Sequence, residues 1–205
     1  MVFVEQRNSL NTQSGTYRFY HNGGKRGLDI ALCLLLLPIW LPLSVLFWGV
    51  ALLETGSGGY GDLRIGRNGL GFTCLKIRTL YGDVSRRCAA EKACLDSRAT
   101  RFGRFLRRSS LDELPQFWCV LKGEMSLVGP RPVPEMELKR YAGQRSAYLQ
   151  MRPGVTGLWQ ISGRNALAYS NRVALDVEYA HSVSALLDLK IIALTVLEIF
   201  RLSGR

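Results

Sequence analysis

The longest unbroken apolar run occupies residues 30–53, 24 positions without a charged side chain. At about 1.5 Å per residue, a continuous helix of this length would reach across a hydrocarbon core of roughly 30 Å. A removable secretory leader fits less well, because the run is too long and no small-residue cleavage site follows it. Pro38 and Pro42 fall near its middle, and each removes a backbone donor, leaving the carbonyls of Leu34 and Pro38 without helical partners. A kink or break is expected there. If the chain turns back, each half is about 12 residues and roughly 18 Å long, enough to reach mid-depth only. Arg7, Arg18, Lys25 and Arg26 precede the run, while Arg64, Arg67, Lys76 and Arg78 follow it. Positive charge favours the cytoplasmic side, so both flanks point there, which supports a re-entrant hairpin over residues 25–54. A proline-kinked single span is the alternative.

Beyond the run the pattern shortens. Residues 56–61 are glycine-rich and lead into Arg64-Ile65-Gly66-Arg67-Asn68-Gly69, where Asn-Gly between short strands predicts a β-hairpin. Along the second strand, residues 72–79, alternation puts Lys76 and Arg78 on one face and Leu75 and Ile77 on the other. Two cations on one face suit either a phosphate clamp or an ordinary solvated strand. No Gly-Lys-Ser/Thr follows the glycines, so this is not a nucleotide P-loop. In residues 98–108, Phe102, Phe105 and Leu106 recur at helical spacing against Arg98, Arg101, Arg104, Arg107 and Arg108, the composition of a helix lying in a membrane surface. Residues 116–122 read as a short helix ended by Gly123, and residues 186–200 as a mostly apolar helix, either core or a second interfacial element.

Composition narrows the chemistry. At 205 residues and 47% hydrophobic content the chain can bury one core, and one domain is expected. A net charge of +11 implies an anionic partner, whether nucleic acid, an acidic lipid surface or a phosphorylated substrate. No finger, basic zipper or RNA-binding signature accompanies the arginine-aromatic stretch, which argues against nucleic acid. Cys33, Cys74, Cys88, Cys94 and Cys119 form no CxxC pair and leave one over, so a zinc site and a full disulfide framework are both disfavoured and a reducing compartment fits. With only His21 and His181, a histidine triad or multi-histidine metal site has little support. Carboxylates are left to carry any acid, base or nucleophile role. The adjacent Asp112 and Glu113 stand out, with Arg98, Arg101, Arg104, Arg107 and Arg108 before them and Arg131, in Gly129-Pro130-Arg131-Pro132, after them. Acids at such a place commonly cap a helix. Ser110 could cap with Glu113 completing a capping box, or Asp112 could cap ahead of Pro115. A reaction centre is the competing reading.

In order along the chain, Lys25-Arg26-Gly27-Leu28-Asp29, the Asn68-Gly69 hairpin, Lys76-Ile77-Arg78-Thr79, Leu106-Arg107-Arg108-Ser109-Ser110-Leu111-Asp112-Glu113-Leu114-Pro115-Gln116, Gly129-Pro130-Arg131-Pro132 and Arg152-Pro153-Gly154-Val155-Thr156-Gly157 resemble the monotopic phosphoglycosyl transferases, also called bacterial sugar transferases. The resemblance runs from about residue 25 to about residue 202. It implies an α/β fold: a small mixed α-β cytoplasmic domain, residues 55–205, resting on amphipathic interfacial helices behind a re-entrant membrane helix, with residues 1–24 as a tail. It further implies a monotopic protein on the cytoplasmic face of the bacterial inner membrane, in contact with anionic lipids. The implied reaction transfers a sugar phosphate from a UDP-sugar to polyprenol (undecaprenyl) phosphate and releases UMP, an initiating step of lipid-linked glycan or exopolysaccharide synthesis. In relatives of this kind the aspartate of the acidic pair is the nucleophile and Mg²⁺ is required. That role falls on Asp112, also the expected metal ligand, with Glu113 beside it. Arg107 and Arg131 match phosphate-contacting positions, and Lys76, Arg78, Arg152 and Arg164 complete the expected substrate-binding set. A carboxylate near a helix N-terminus and close to cations is expected to stay ionised. Leu41 stands where a serine often precedes the helix-breaking proline, and Ile77 where phenylalanine is frequent. A non-enzymatic basic adaptor on a membrane surface is the alternative function, and homo-oligomerisation is left open.

Overall fold

The computed structural model describes residues 20–82, 97–163 and 167–200; residues 1–19 of the expected tail, and Arg164, lie outside them. A short turn, Tyr20–Gly24, leads into helix α1 (Lys25–Leu35), and after one residue the apolar run resumes as α2 (Leu37–Thr55). The break falls at Leu36, ahead of both prolines. Pro38 takes the first turn of α2, where a missing N–H is no loss, and Pro42 is carried inside the helix. The two pieces are therefore 11 and 19 residues, not equal halves. Side chains supply donors near the break. The Trp40 indole donates to the Cys33 carbonyl at 2.9 Å, and the Ser44 hydroxyl to the Trp40 carbonyl at 2.7 Å. By length and composition α2 could cross a membrane. Leu35, Ile39, Val45, Leu46 and Leu53 along this segment are exposed.

Strands β1 (Gly59–Ile65) and β2 (Gly71–Ile77) pair antiparallel. Asn68 and Gly69 both adopt positive φ, 60° and 81°, the backbone that the Asn-Gly turn was expected to supply. The two faces of β2 take different partners, and Gly71 and Thr73 stay exposed. Phe72 and Cys74 enter the main core with Cys119, Val120 and Leu127, while Ile77 joins Phe47 and Ala51 of α2 and Leu106. Helix α3 (Arg101–Ser109) is capped by the Thr100 hydroxyl, which accepts from the Gly103 N–H at 2.7 Å. Its Phe102 and Leu106 turn inward onto α2, and of the three apolar residues only Phe105 is exposed. The expected lipid-facing stripe is thus largely an internal contact, because α2 covers it. Helix α4 (Gln116–Lys122) stops at Gly123, φ 88°, as its sequence indicated.

A second, parallel pair joins β3 (Ser126–Val128) to β4 (Gly154–Thr156). The expected small mixed α/β architecture is therefore present, among the described residues, as two two-stranded sheets among helices. Here backbones touch: Gly129 N–H donates to Thr156 O and Gly154 N–H to Pro130 O, at 2.9 and 2.8 Å. A Cβ on Gly154 would lie 2.1 Å from the Gly129 nitrogen, so only glycine fits. The Gly-Pro-Arg-Pro and Arg-Pro-Gly motifs are two sides of one junction. Helices α5 (Glu135–Leu138), α6 (Arg145–Leu149), α7 (Leu158–Ile161), α8 (Tyr169–Ser182) and α9 (Ala185–Phe200) complete the fold. Helix α9 contributes to the core along one side. Ile191 is buried, while Leu186, Leu189, Val196 and Leu197 are exposed.

The start of α1 is pinned by a buried polar node. Asp188 of α9 accepts from Tyr20 and Lys25 at 2.5 Å each, and from Tyr179 of α8 at 2.6 Å. One turn on, Asp29 accepts the Leu127 backbone N–H of β3 at 3.0 Å. Arg26 donates to the Leu121 carbonyl at 2.8 Å and to that of Val120, closing the end of α4. The Lys-Arg-Gly-Leu-Asp motif therefore ties α1 to the body.

Asp188→Ala strands a lysine and two phenols in the interior and is expected to lower unfolding free energy by about 3–5 kcal/mol. Lys122→Ala, which removes a half-exposed partner 4.0 Å from Glu124, should cost under about 1 kcal/mol. Denaturant titration of the two variants checks the contrast.

Candidate active site

Asp112 and Glu113 lie in a single 3₁₀ turn, Leu111–Glu113, between α3 and α4. The turn forms because Ser110 adopts a left-handed conformation, φ 59°, which ends α3 and reverses the chain. A non-glycine residue there costs about 1–2 kcal/mol, and buried neighbours offset it. Leu111 and Leu114, three apart, both pack into the cluster of Phe47, Ala51, Ile77 and Leu106. The two acids between them are turned away from that cluster. Neither capping register expected from the sequence is formed: Ser110 makes no side-chain cap bond, and α4 begins after Pro115, again without one. The carboxylates are not spent on helix ends.

Charge surrounds them instead. Lys76, near the end of β2, places its Nζ 2.5 Å from Glu113 Oε1, with both side chains about three-quarters buried. Arg107, in the last turn of α3, acts on Asp112 through its charge. Asp112 is itself partly buried. Loss of water, then the neighbouring Glu113 charge, push its carboxyl up to about 6, against the opposing pull of Lys76 and Arg107. The expectation of a carboxylate held ionised by its cations is thus corrected in direction: burial and the like charge outweigh the cations. At neutral pH the group is still mainly ionised.

The other expected binding residues disperse. Arg78 donates to the Leu80 and Gly82 carbonyls and shapes the turn after β2. Arg152 donates to Gly123 O at 2.8 Å, at the far end of α4 from the acidic pair; desolvation and its neighbours Arg67 and Arg26 lower its pKa. Arg131 lies over the Trp159 ring, 5.4 Å from its centroid, with Arg172 at 5.1 Å. Beside it Asp176, whose carboxyl burial pushes up to about 7, accepts from Tyr141 at 2.7 Å and is eased by Arg131. Of the named set, the structure gathers Lys76, Arg107, Asp112 and Glu113. The sequence marked Arg64 only as a flanking cation of the hairpin motif; it donates to Pro132 O at 3.1 Å and ties the hairpin to the Gly-Pro-Arg-Pro loop. Sequence reasoning missed Asp176, which sits in α8 with no motif to flag it.

Among the described residues no group of three or more His, Cys, Asp or Glu side chains could hold a metal. Two adjacent carboxylates nevertheless suit Mg²⁺, which takes one or two protein carboxylates and completes its shell with water and substrate phosphates. Asp112, with Glu113 beside it, is the donor set that fits.

The family model described as bacterial sugar transferase matches residues 20–202. The exopolysaccharide production protein ExoY of Sinorhizobium fredii is 44% identical over 200 residues, 90% of this chain and 88% of that protein. The undecaprenyl-phosphate galactose phosphotransferase of Salmonella typhimurium is 40% identical over 195 residues, 88% of this chain but 41% of that protein. The undecaprenyl-phosphate glucose phosphotransferase of Komagataeibacter xylinus is 40% identical over 185 residues, 84% of this chain and 35% of that protein.

Because the Asp112 carboxyl rises from 3.8 to about 6 on folding, its ionisation opposes folding above that pH. Asp112→Asn is expected to raise unfolding free energy at pH 7 by about 2–3 kcal/mol. The gain should shrink as pH falls from about 6 to about 4, where first the folded and then the unfolded carboxyl is protonated. Denaturant midpoints across that range test it, and a gain independent of pH would refute the assignment.

Proposed function

Because the chain belongs to the bacterial sugar transferase family, we propose that it moves a sugar phosphate from a UDP-sugar to polyprenol phosphate through an aspartyl phosphosugar on Asp112. The names of the galactose and glucose phosphotransferases support the acceptor and the phosphosugar character of the donor. One observation carries the nucleophile: a partly buried carboxylate, raised to about 6, makes no cap and stands between a lysine and an arginine. In the first step an Asp112 oxygen attacks the sugar-linked phosphorus, the bond to the bridging oxygen breaks and UMP leaves. In the second, an oxygen of the lipid phosphate attacks that phosphorus, the acyl phosphate bond breaks and the carboxylate is restored. The product is a polyprenyl diphosphosugar.

Lys76 and Arg107 would hold the phosphates against the nucleophile and offset charge at the transferring group. Glu113, ion-paired to Lys76, fixes where that ammonium sits. Bound Mg²⁺ supplies further neutralisation of phosphate charge. The adaptor reading has no use for two carboxylates crowded together at this cost.

The same proposal places the chain on the cytoplasmic face of a membrane, with α1 and α2 re-entrant. Three features support it: the cationic flanks on both sides, the exposed leucines of α2, and the docking of both ends on one body, Lys25 and Asp29 at one and Phe47 and Ala51 at the other. Labels introduced at Ser57 and in the N-terminal tail should then react from the same side of sealed vesicles; opposite sides would establish a span.

UMP release from a panel of UDP-sugars, with undecaprenyl phosphate and Mg²⁺, tests the activity. Asp112→Ala should abolish release, and mass spectrometry of trapped enzyme should find the adduct on Asp112. Lys76→Met removes a charge that lowers the Asp112 pKa, so the acid limb of the rate profile should move to higher pH. An adduct elsewhere would overturn the nucleophile.

A further inference from the structure

Three arginines meet beyond the C-terminal end of α4. Arg26, from the first turn of α1, donates both amino groups there, to the Val120 and Leu121 carbonyls. Arg152 donates only its Nε, to the Gly123 carbonyl at 2.8 Å, so the fork of its two amino groups makes no hydrogen bond among the described residues. A Cβ built at Gly123 lies 3.5 Å from an Arg26 amino nitrogen, which puts both guanidinium groups beside one residue. The third, Arg67, is exposed at the tip of the hairpin, and its side chain has no hydrogen bond or ion pair among the described residues. Its turn packs against α6, which ends three residues before Arg152.

Helix capping explains only part of this arrangement. A helix C-terminus carries roughly half a unit of negative charge, against three guanidinium groups that do not give up their protons. Asp29, the carboxylate that partly relieves Arg152, already accepts the Leu127 N–H at 3.0 Å. Among the described residues none of the three arginines is ion-paired. Lost water and the charges of Arg67 and Arg26 therefore destabilise the Arg152 cation.

We infer that Arg26, Arg67 and Arg152 form a phosphate-binding site separate from the reaction centre. The two open amino groups of Arg152 match two oxygens of one phosphate, and Arg67 adds its charge from the solvent side. The seven residues of α4, about 10 Å of helix, separate this point from the turn that carries Asp112. One phosphate does not reach both, and no step of the proposed transfer uses this end of α4. A phosphate diester of a lipid headgroup and a free phosphorylated solute offer the same chemistry. Arg26 lies four residues before the apolar run begins at Ile30, the height of headgroup phosphates when α1 and α2 enter a bilayer, which favours the headgroup. The site itself does not depend on the transfer reaction.

Arg67→Gln is the discriminating variant, because that side chain is exposed and holds no other group in place. Arg101→Gln, at an exposed arginine of α3, controls for the loss of one charge. With the full chain in phosphatidylcholine nanodiscs at constant ionic strength, inorganic phosphate should raise the melting temperature of the native protein. The half-saturating phosphate concentration should rise about fivefold in Arg67→Gln and stay unchanged in Arg101→Gln. Without phosphate the order should invert, Arg67→Gln melting above the native protein because one repelling charge is gone. Phosphate held at Lys76 and Arg107 instead would affect both variants equally. In mixed phosphatidylcholine and phosphatidylglycerol nanodiscs, native mass spectrometry after extraction should find phosphatidylglycerol retained by the native protein and Arg101→Gln, and lost from Arg67→Gln. That result identifies a headgroup, whereas Arg67-dependent stabilisation by inorganic phosphate with no lipid retained identifies a free solute. Equal behaviour of the two variants, or neither stabilisation nor retention, would overturn the site. Absence of UMP release would sink the proposed function and leave these readings unaffected.

Discussion

One buried carboxylate, Asp188, decides where the apolar segment begins relative to everything else. It gathers the ammonium of Lys25 and two phenols, and one turn along, Asp29 grips the backbone of β3. Ion pairs of this kind gain little net stability over a well-packed apolar substitute, because each charge gives up its water. Their effect is positional. With α1 fixed in azimuth and height, α2 can lie only where Trp40 stacks on Phe117 and Phe47 meets Phe102. That placement brings Ala51 and Phe47 against Ile77, Leu106, Leu111 and Leu114, and so shapes the turn that carries the acidic pair.

The acidic turn is electrostatically uncomfortable by construction. Two neighbouring carboxylates lose water together, and a lysine and an arginine only partly relieve them. Such an arrangement is stable only because surrounding apolar contacts over-determine the backbone, including a serine held at positive φ. What is lost in folding is available when a metal ion or phosphate ligands complete the charge balance.

Much of this was legible beforehand where a local rule speaks. Asn68-Gly69 fixed its hairpin, Gly123 ended its helix, and Asp112 and Glu113 were visible as acids in basic surroundings. The failures have a common cause, the override of local preference by packing. Pro42 reads as a helix breaker, yet the chain breaks at Leu36, where Pro38 can begin a new helix. Phe102 and Leu106 read as lipid-facing because nothing in their own segment reveals that α2 lies over them. The capping registers at Ser110 and Asp112 fail because Leu111 and Leu114 set the turn. Arginines proved hardest to assign: Arg26 and Arg152 satisfy carbonyls at the end of α4, a use that no spacing announces.

From Cys74 to Ile77, strand β2 has no exposed residue. One face meets α4 and the core, and the other meets α2. A single strand is thus the spacer between an apolar helix and the chemistry at Lys76 and Glu113. With α2 immersed in lipid, as proposed, that spacer sets the altitude of the acidic pair above the hydrocarbon. Any tilt of the helix would then be handed on, through one layer of side chains, as a change in the reach needed by a headgroup.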